Sequence, residues 1–206
     1  AARYRHLLTL ASGGMGRVEI ASREQQGFER LYAVKRLHDH FKDDAEFRAM
    51  FMDEARIAGC IRHTNVVSVL DVDEDEDGPY LVMDFVDGRA LSDILRATMD
   101  EGALIPLNVA LLIVRDVAAG LAAAHDAKGS DGQGLEVIHR DVSPHNILVG
   151  FDGGTRLTDF GIAKALGASS NTSTGVVKGK IRYMAPEQLA FRPIDHRVDL
   201  YSLGVV

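Results

Sequence analysis

Little in this chain could hold it together covalently or anchor it. A single cysteine, Cys60, stands among 206 residues. No intrachain disulfide can form and no cysteine-cluster zinc site is possible, which fits a reducing compartment. No apolar run approaches the roughly 18 residues that a membrane span needs. The longest, Val109 to Val114, stops at Arg115. The N-terminus lacks the charged-then-apolar pattern of a secretion signal, and there are no repeats or low-complexity linkers. Excess positive charge is also missing: 23 Lys and Arg face 30 Asp and Glu, a formal net charge of −7. That argues against a general nucleic-acid or membrane-surface binder. What remains, 46% hydrophobic and 26% charged residues, is the composition of a soluble globular protein, so a cytoplasmic location is expected. The chain opens on Ala1 and closes on the apolar Leu203-Gly204-Val205-Val206. The expectation is therefore a piece of a longer protein, with any anchor outside it.

The first part of the chain reads as strands. Leu8 and Leu10 precede a glycine-rich turn, Ser12-Gly13-Gly14-Met15-Gly16, after which Val18 and Ile20 alternate with Arg17 and Glu19 in the strand period of two. Leu31 to Leu37 is a third strand, with Ala33 and Lys35 on one face. Asp43-Asp44-Ala45-Glu46 reads as a capped helix start, and the helix runs to about Cys60. Its apolar stripe of Phe47, Phe51, Ala58 and Ile61 has Glu54 in its middle. A buried carboxylate needs a cationic partner; the alternative is a glutamate that snorkels out at the stripe's edge. Strands are expected over Val66 to Val72 and Tyr80 to Val86, with the acidic run from Asp73 to Asp77 as a solvated turn between them. A long Ala/Leu-rich helix starts after Pro106 and extends from Leu107 to Ala127. A glycine-bearing loop follows from Lys128 to Glu136, read as tolerated surface. Val137-Ile138 and Ile147-Leu148-Val149 are short strands around a polar segment. The stretch from Ala163 to Lys180 is rich in Ser, Thr and Gly. His38 and His40 lack the further ligands that a metal site requires.

The glycine-rich turn alone is compatible with a plain hairpin or with a backbone approach to phosphates. It does not open a helix, as a dinucleotide fingerprint does, and lacks the Gly-Lys-Ser/Thr ending of a P-loop. More specific is an ordered set: His139-Arg140-Asp141, then Asn146, Asp159-Phe160-Gly161 and Ala185-Pro186-Glu187. Each tripeptide arises by chance roughly once in 8,000 positions. In this order the set resembles the protein kinase family, most closely the eukaryotic-like serine/threonine kinases of bacteria, whose signature these strings match.

The resemblance spans about residue 4 to residue 206. It implies an α+β, bilobal protein-kinase-like fold. A small antiparallel-sheet N-lobe with one main helix would occupy residues 1–83, and the hinge and a mainly helical, C-terminally truncated C-lobe residues 84–206. It further implies ATP and Mg²⁺ as cofactors and a protein substrate with a Ser or Thr acceptor. Leu10, Ala11, Gly13, Gly14, Gly16 and Val18 would form a lid over ATP. Lys35 would hold its α- and β-phosphates, and Glu54 would pair with Lys35. Val18, Ala33 and Leu148 would sandwich the adenine, with Met83 as gatekeeper and Asp84 to Val86 as the hinge. Asp141 would accept the substrate hydroxyl proton, Asn146 and Asp159 would bind Mg²⁺, and Asp199 would brace the catalytic loop. These types suit phosphoryl transfer, which needs positioning and charge stabilisation more than covalent chemistry.

The chain departs from the family pattern in places. Ala11 stands where the lid's first glycine is usual. Ser143 stands where serine/threonine kinases usually carry a lysine, and Lys180 where they carry a threonine, at positions that face each other in the family. Lys180 is therefore expected to supply the charge that Ser143 does not, with the Ser143 hydroxyl making the bridging contact. Arg140 before Asp141 suggests control by phosphorylation, with acceptors at Ser169, Ser170, Thr172, Ser173 and Thr174. A pseudokinase-like nucleotide-binding module is the alternative function. A small-molecule phosphotransferase ranks last, because those lack an Ala-Pro-Glu segment. Glu187 usually pairs with an arginine further along, absent here.

Overall fold

The computed structural model describes residues 3–13, 16–129, 131–160 and 181–206. Gly14, Gly161, the 169–174 acceptors and Lys180 lie outside these. An antiparallel sheet of five strands forms the first lobe, in the order β1 (Arg5–Ser12), β2 (Gly16–Gln25), β3 (Phe28–Leu37), β5 (Gly78–Asp84), β4 (Val69–Asp75). Gln26 and Gly27, both at positive φ, close the β2–β3 hairpin as a two-residue turn with left-handed backbone requires.

Alternation along β5 sorts the core. Tyr80 and Val82 join Tyr4, Ala21 and Val34 on one face. Leu81 and Met83 join Ala33, Leu37, Phe51 and Ala55 on the other, against helix α1 (Ala45–Cys60). Register puts Lys35 on that second face, opposite Val18 on β2 and Leu81 on β5. The α1 cap is Asp44, whose carboxylate accepts the N–H groups of Glu46 and Phe47.

The second lobe is built on helix α2 (Leu91–Asp100), helix α3 (Leu107–His125), a three-stranded sheet of β6 (Gly88–Ala90), β7 (Ile147–Gly150) and β8 (Thr155–Leu157), and helices α4 (Pro186–Leu189) and α5 (Arg197–Val205). Its core gathers Val117, Leu121 and Ala124 of α3 with Ile147, Leu157, Phe160 and Leu203. By length and mean hydropathy, 1.7, α3 could cross a membrane, yet those wholly buried residues make it a core helix; Leu107, Leu111 and Leu112 on it are exposed. The segment after α1 straps the lobes together: Val67 N–H donates to Leu157 O at 2.9 Å, and Leu157 N–H to Asn65 O at 2.8 Å.

Several boundaries differ from the sequence reading. Strand β4 runs on through Asp73–Asp75, and β5 begins at Gly78. The acidic residues stay in the strand because arginines from elsewhere neutralise them: Arg36 grips Asp75 at 2.7 and 2.8 Å, and Arg48 reaches Glu74 at 2.9 Å. Val137 and Ile138 form no strand; Val137 packs into the core instead.

Gly120 on α3 faces the strap so closely that a Cβ would sit 2.6 Å from Asn65 O, whereas one at Gly59 on α1 would meet nothing. Alanine favours a helix by about 1 kcal/mol over glycine, but a backbone clash costs about 1–3 kcal/mol. Gly120→Ala is therefore expected to lower Tm by roughly 2–8 °C, while Gly59→Ala leaves it unchanged or slightly higher. Thermal melts of the two variants check this.

Candidate active site

The site begins with a charge that the sheet delivers into the interior. Lys35 donates from Nζ to Glu54 Oε1 at 2.6 Å and to Asp159 Oδ1 at 3.1 Å. Glu54 lies on the buried face of α1 and is 7% exposed, so it does not snorkel to solvent. Burial pulls the Lys35 ammonium down, but the Asp159 and Glu54 carboxylates outweigh it and hold the amine well above the usual lysine range. Lys35 is thus a fixed cation at the junction of the lobes.

The segment from His139 to Asp141 is organised from below by Asp199, which is fully buried on α5. Its carboxylate accepts the His139 and Arg140 N–H groups, each at 2.8 Å, and meets His125 Nε2 at 2.8 Å. That double grip holds Arg140 at φ 65°, and Asp159 is likewise left-handed at φ 56°. Such backbone persists where surrounding structure over-determines it, at about 1–3 kcal/mol each. His139 accepts the Asp141 N–H on Nδ1 at 3.2 Å, so Nε2 carries the proton donated to Thr158 O at 3.1 Å. Burial keeps this imidazole below the ordinary histidine range, against the pull of Asp199 and Asp141. Phe160 packs on its ring, with centroids 4.6 Å apart.

Asn146 holds Asp141 with its side chain and the residue before Asp159 with its backbone. Its Nδ2 donates to Asp141 O at 2.8 Å and Oδ2 at 3.0 Å, and its backbone carbonyl accepts the Thr158 N–H at 3.0 Å. With the amide nitrogen engaged, the amide oxygen is the end left for a cation. That oxygen and the Asp159 carboxylate are hard ligands that fit Mg²⁺, which takes few protein oxygens and completes its shell with water and phosphate. Two hydrogen-bonded sets thus lie side by side, Glu54–Lys35–Asp159 and Asn146–Asp141, tied through the backbone by the Thr158 N–H on the Asn146 carbonyl next to Asp159.

An apolar wall adjoins them. Ala33 and Met83 belong to the cluster against which Val18, Val86 and Leu148 pack, uniting residues of both lobes. Asp84 turns its carboxylate away to Arg30 at 2.7 Å, and its N–H donates to Ser68 O at 3.0 Å. Leu10, Ala11 and Gly13 are exposed on the β1 side of the turn, Ala11 opposite Val18. A Cβ at Gly16 would lie 2.0 Å from Arg36 O, so only glycine fits there. Ser143 is 1% exposed, and its Oγ is the one buried side-chain N or O atom among the described residues without a hydrogen-bond partner. His125 was not singled out by sequence reasoning; 74 positions separate it from Asp199, and no local pattern marks the pair.

A model of the protein kinase domain matches residues 4–206. The chain belongs to the protein kinase family. Among curated kinases it is 41% identical to the tyrosine-protein kinase MasK of Myxococcus xanthus, over 95% of this chain and 30% of that protein. It is 36% identical to the serine/threonine-protein kinase PrkC of Bacillus subtilis, over 99% of this chain and 29% of that protein. The chain thus spans about three-tenths of the length of these relatives. Its structure is similar to that of the Mycobacterium tuberculosis PknI kinase domain, with a TM-score of 0.69 and 30% identity over 98% of this chain and 69% of that one. The bilobal kinase fold is the one described above.

A neutral buried His139 must charge as pH falls. Its folded pKa is depressed, so the stability it contributes is present above the unfolded value of about 6.5 and lost as pH drops below it. Tm is expected to fall between pH 7 and pH 5, and a non-titrating His139→Asn variant to show a shallower slope. Equal slopes in pH-resolved melts would contradict this.

Proposed function

We propose that this chain is the catalytic part of an ATP-dependent protein kinase acting on Ser or Thr hydroxyls. Residues 1–83 serve as the nucleotide-holding lobe, and residues 84–206 as hinge and partial C-lobe. The observation that carries the reading is the Lys35–Asp159 pair tied through the Thr158–Asn146 backbone bond to the Asn146–Asp141 pair, beside an apolar wall of both lobes.

In this reading Val18, Ala33, Met83, Val86 and Leu148 enclose the adenine, and the backbone from Asp84 to Val86 reads its edge. The turn from Leu10 to Gly16, Gly14 included, covers the phosphates. Lys35, oriented by Glu54, neutralises the α- and β-phosphates. Asn146 and Asp159 would hold Mg²⁺, which when bound would neutralise charge on the phosphate tail. Asp141 orients the acceptor hydroxyl and takes its proton as the oxygen bonds to the γ-phosphorus and the bond to the β–γ bridging oxygen breaks; ADP leaves. Asn146 fixes the Asp141 carboxylate for that task, and Asp199 keeps the loop in place beneath it. No observation favours a pseudokinase: Lys35, Glu54, Asp141, Asn146 and Asp159 are all present.

Lys180 is proposed from sequence to supply the positive charge that Ser143 lacks; the Ser143 hydroxyl, being buried, does not support the expected bridging contact. Lys180→Met should lower kcat by about tenfold or more, the scale of one transition-state contact; wild-type turnover would remove the role. The acceptors at 169–174 are proposed sites of autophosphorylation, paired with Arg140.

Tyrosine as acceptor is a second reading, favoured by Ser143 in the lysine position and by the likeness to a tyrosine-protein kinase. Radiolabel from ATP should enter a generic protein substrate with the wild type and not with Asp141→Asn. Phosphoserine and phosphothreonine in the hydrolysed product support the first reading, phosphotyrosine the second. No label with either protein would contradict both.

A further inference from the structure

His38 and His40 lie between β3 and α1, next to the glycine-rich turn. Register pairs Gly16 with Leu37, the last residue of β3. The next residue, His38, reaches across the turn: its Nε2 lies 2.7 Å from Gly13 O. A carbonyl only accepts, so Nε2 carries the proton and donates. The Gly13 N–H is itself tied to Gly16 O at 2.8 Å. Both backbone polar groups of Gly13 are therefore held, one within the turn and one from outside it.

The outside anchor is not isolated. The His38 ring stacks on His40 with centroids 5.5 Å apart and planes 11° from parallel. His40 meets Phe41 at 4.0 Å, and Phe41 stacks on Phe47 at 3.9 Å. Phe47 is in the first turn of α1, the helix that carries Glu54 to Lys35. A continuous file of rings thus runs from the helix that orients the lysine to the carbonyl at the entrance of the turn. Aromatic rings in contact attract beyond the area they bury, so each ring's position is tied to that of its neighbour.

We propose that His38 is a positioning residue that fixes the glycine-rich turn for nucleotide binding, and that the ring file from Phe47 to His38 couples the turn's position to that of α1. The proposal rests on the reading of this cleft as a nucleoside triphosphate site. It adds that the nucleotide's affinity depends on a hydrogen bond that touches no nucleotide. With the bond in place Gly13 is already held, and binding no longer has to fix it. Loss of the bond should therefore weaken binding and leave the chemical step alone. A displaced α1 would draw Phe47 and Glu54 together, loosening the turn and the Lys35 pair in one movement.

The test is the dissociation constant of a fluorescent ATP analogue with Mg²⁺, measured by titration, together with kcat at saturating ATP. His38→Ala should raise Kd about fivefold, with kcat within twofold of wild type and Tm unchanged. His38→Gln, whose amide can donate to the same carbonyl, should restore Kd to within twofold. Phe47→Leu keeps the apolar volume but breaks the file, and should raise Kd as well. The double variant His38→Ala, Phe47→Leu should bind no more weakly than the weaker single variant, because both remove one coupled restraint. An unchanged Kd in His38→Ala overturns the positioning role, as does a Gln variant as weak as the Ala variant. A double variant equal to the product of the single effects overturns the coupling. Absence of any saturable nucleotide binding by the wild type would instead sink the nucleotide-site reading itself.

Discussion

A lysine ammonium held between two carboxylates at the seam of the lobes is the constraint on which the rest depends. Lys35 comes from the sheet, Glu54 from the packed helix and Asp159 from the segment after β8. Each partner is useful only if its own element is correctly placed. Removing one member of a largely buried ion pair costs about 3–5 kcal/mol, because the other is left uncompensated. The pair therefore reports whether helix, sheet and second lobe are assembled together, and the fold's energetics and its chemistry meet in one contact.

Below that contact, the second lobe uses a buried carboxylate in a different way. Asp199 neutralises no cation directly in the cleft; it collects backbone N–H groups and so fixes a loop in a conformation that an unsupported Arg140 would avoid. A neutral His139 then carries the position of that loop to the backbone before Asp159. Orientation passes from a helix at the bottom of the lobe to a carboxylate at the cleft through hydrogen bonds alone. Phosphoryl transfer asks for that kind of rigidity more than for reactive side chains.

Much of the site was legible in the chain because its residue types are chemically obligatory. A glutamate in the middle of an apolar helical stripe announces a buried cation, and Lys35 is that cation. Ala33 and Lys35 on one strand face place a small residue beside the charge. Less legible were features set by distant partners. The acidic stretch resembled a solvated turn because nothing local shows Arg36 and Arg48 arriving from other elements. Strand β8 is three residues long, too short for periodicity to register. Helix α2 went unread although Leu91, Ile94 and Leu95 share a face, a signal that was present. Asp199 was placed through family resemblance, and its contact with His125 has no sequence signature at all. Local pattern reveals what a residue needs; only the fold shows which distant residue meets the need.

The central claim is that Lys35, Asp159, Asn146 and Asp141 surround a single nucleotide tail. Paramagnetic broadening by Mn²⁺·ATP, followed residue by residue in an NMR titration, tests it directly because the effect falls steeply with distance from the ion. Loss of the amide signals of all four residues together, in one saturable event, is the predicted result. Broadening confined to the Asp141 loop, or to Lys35 alone, would show separate sites and contradict the account.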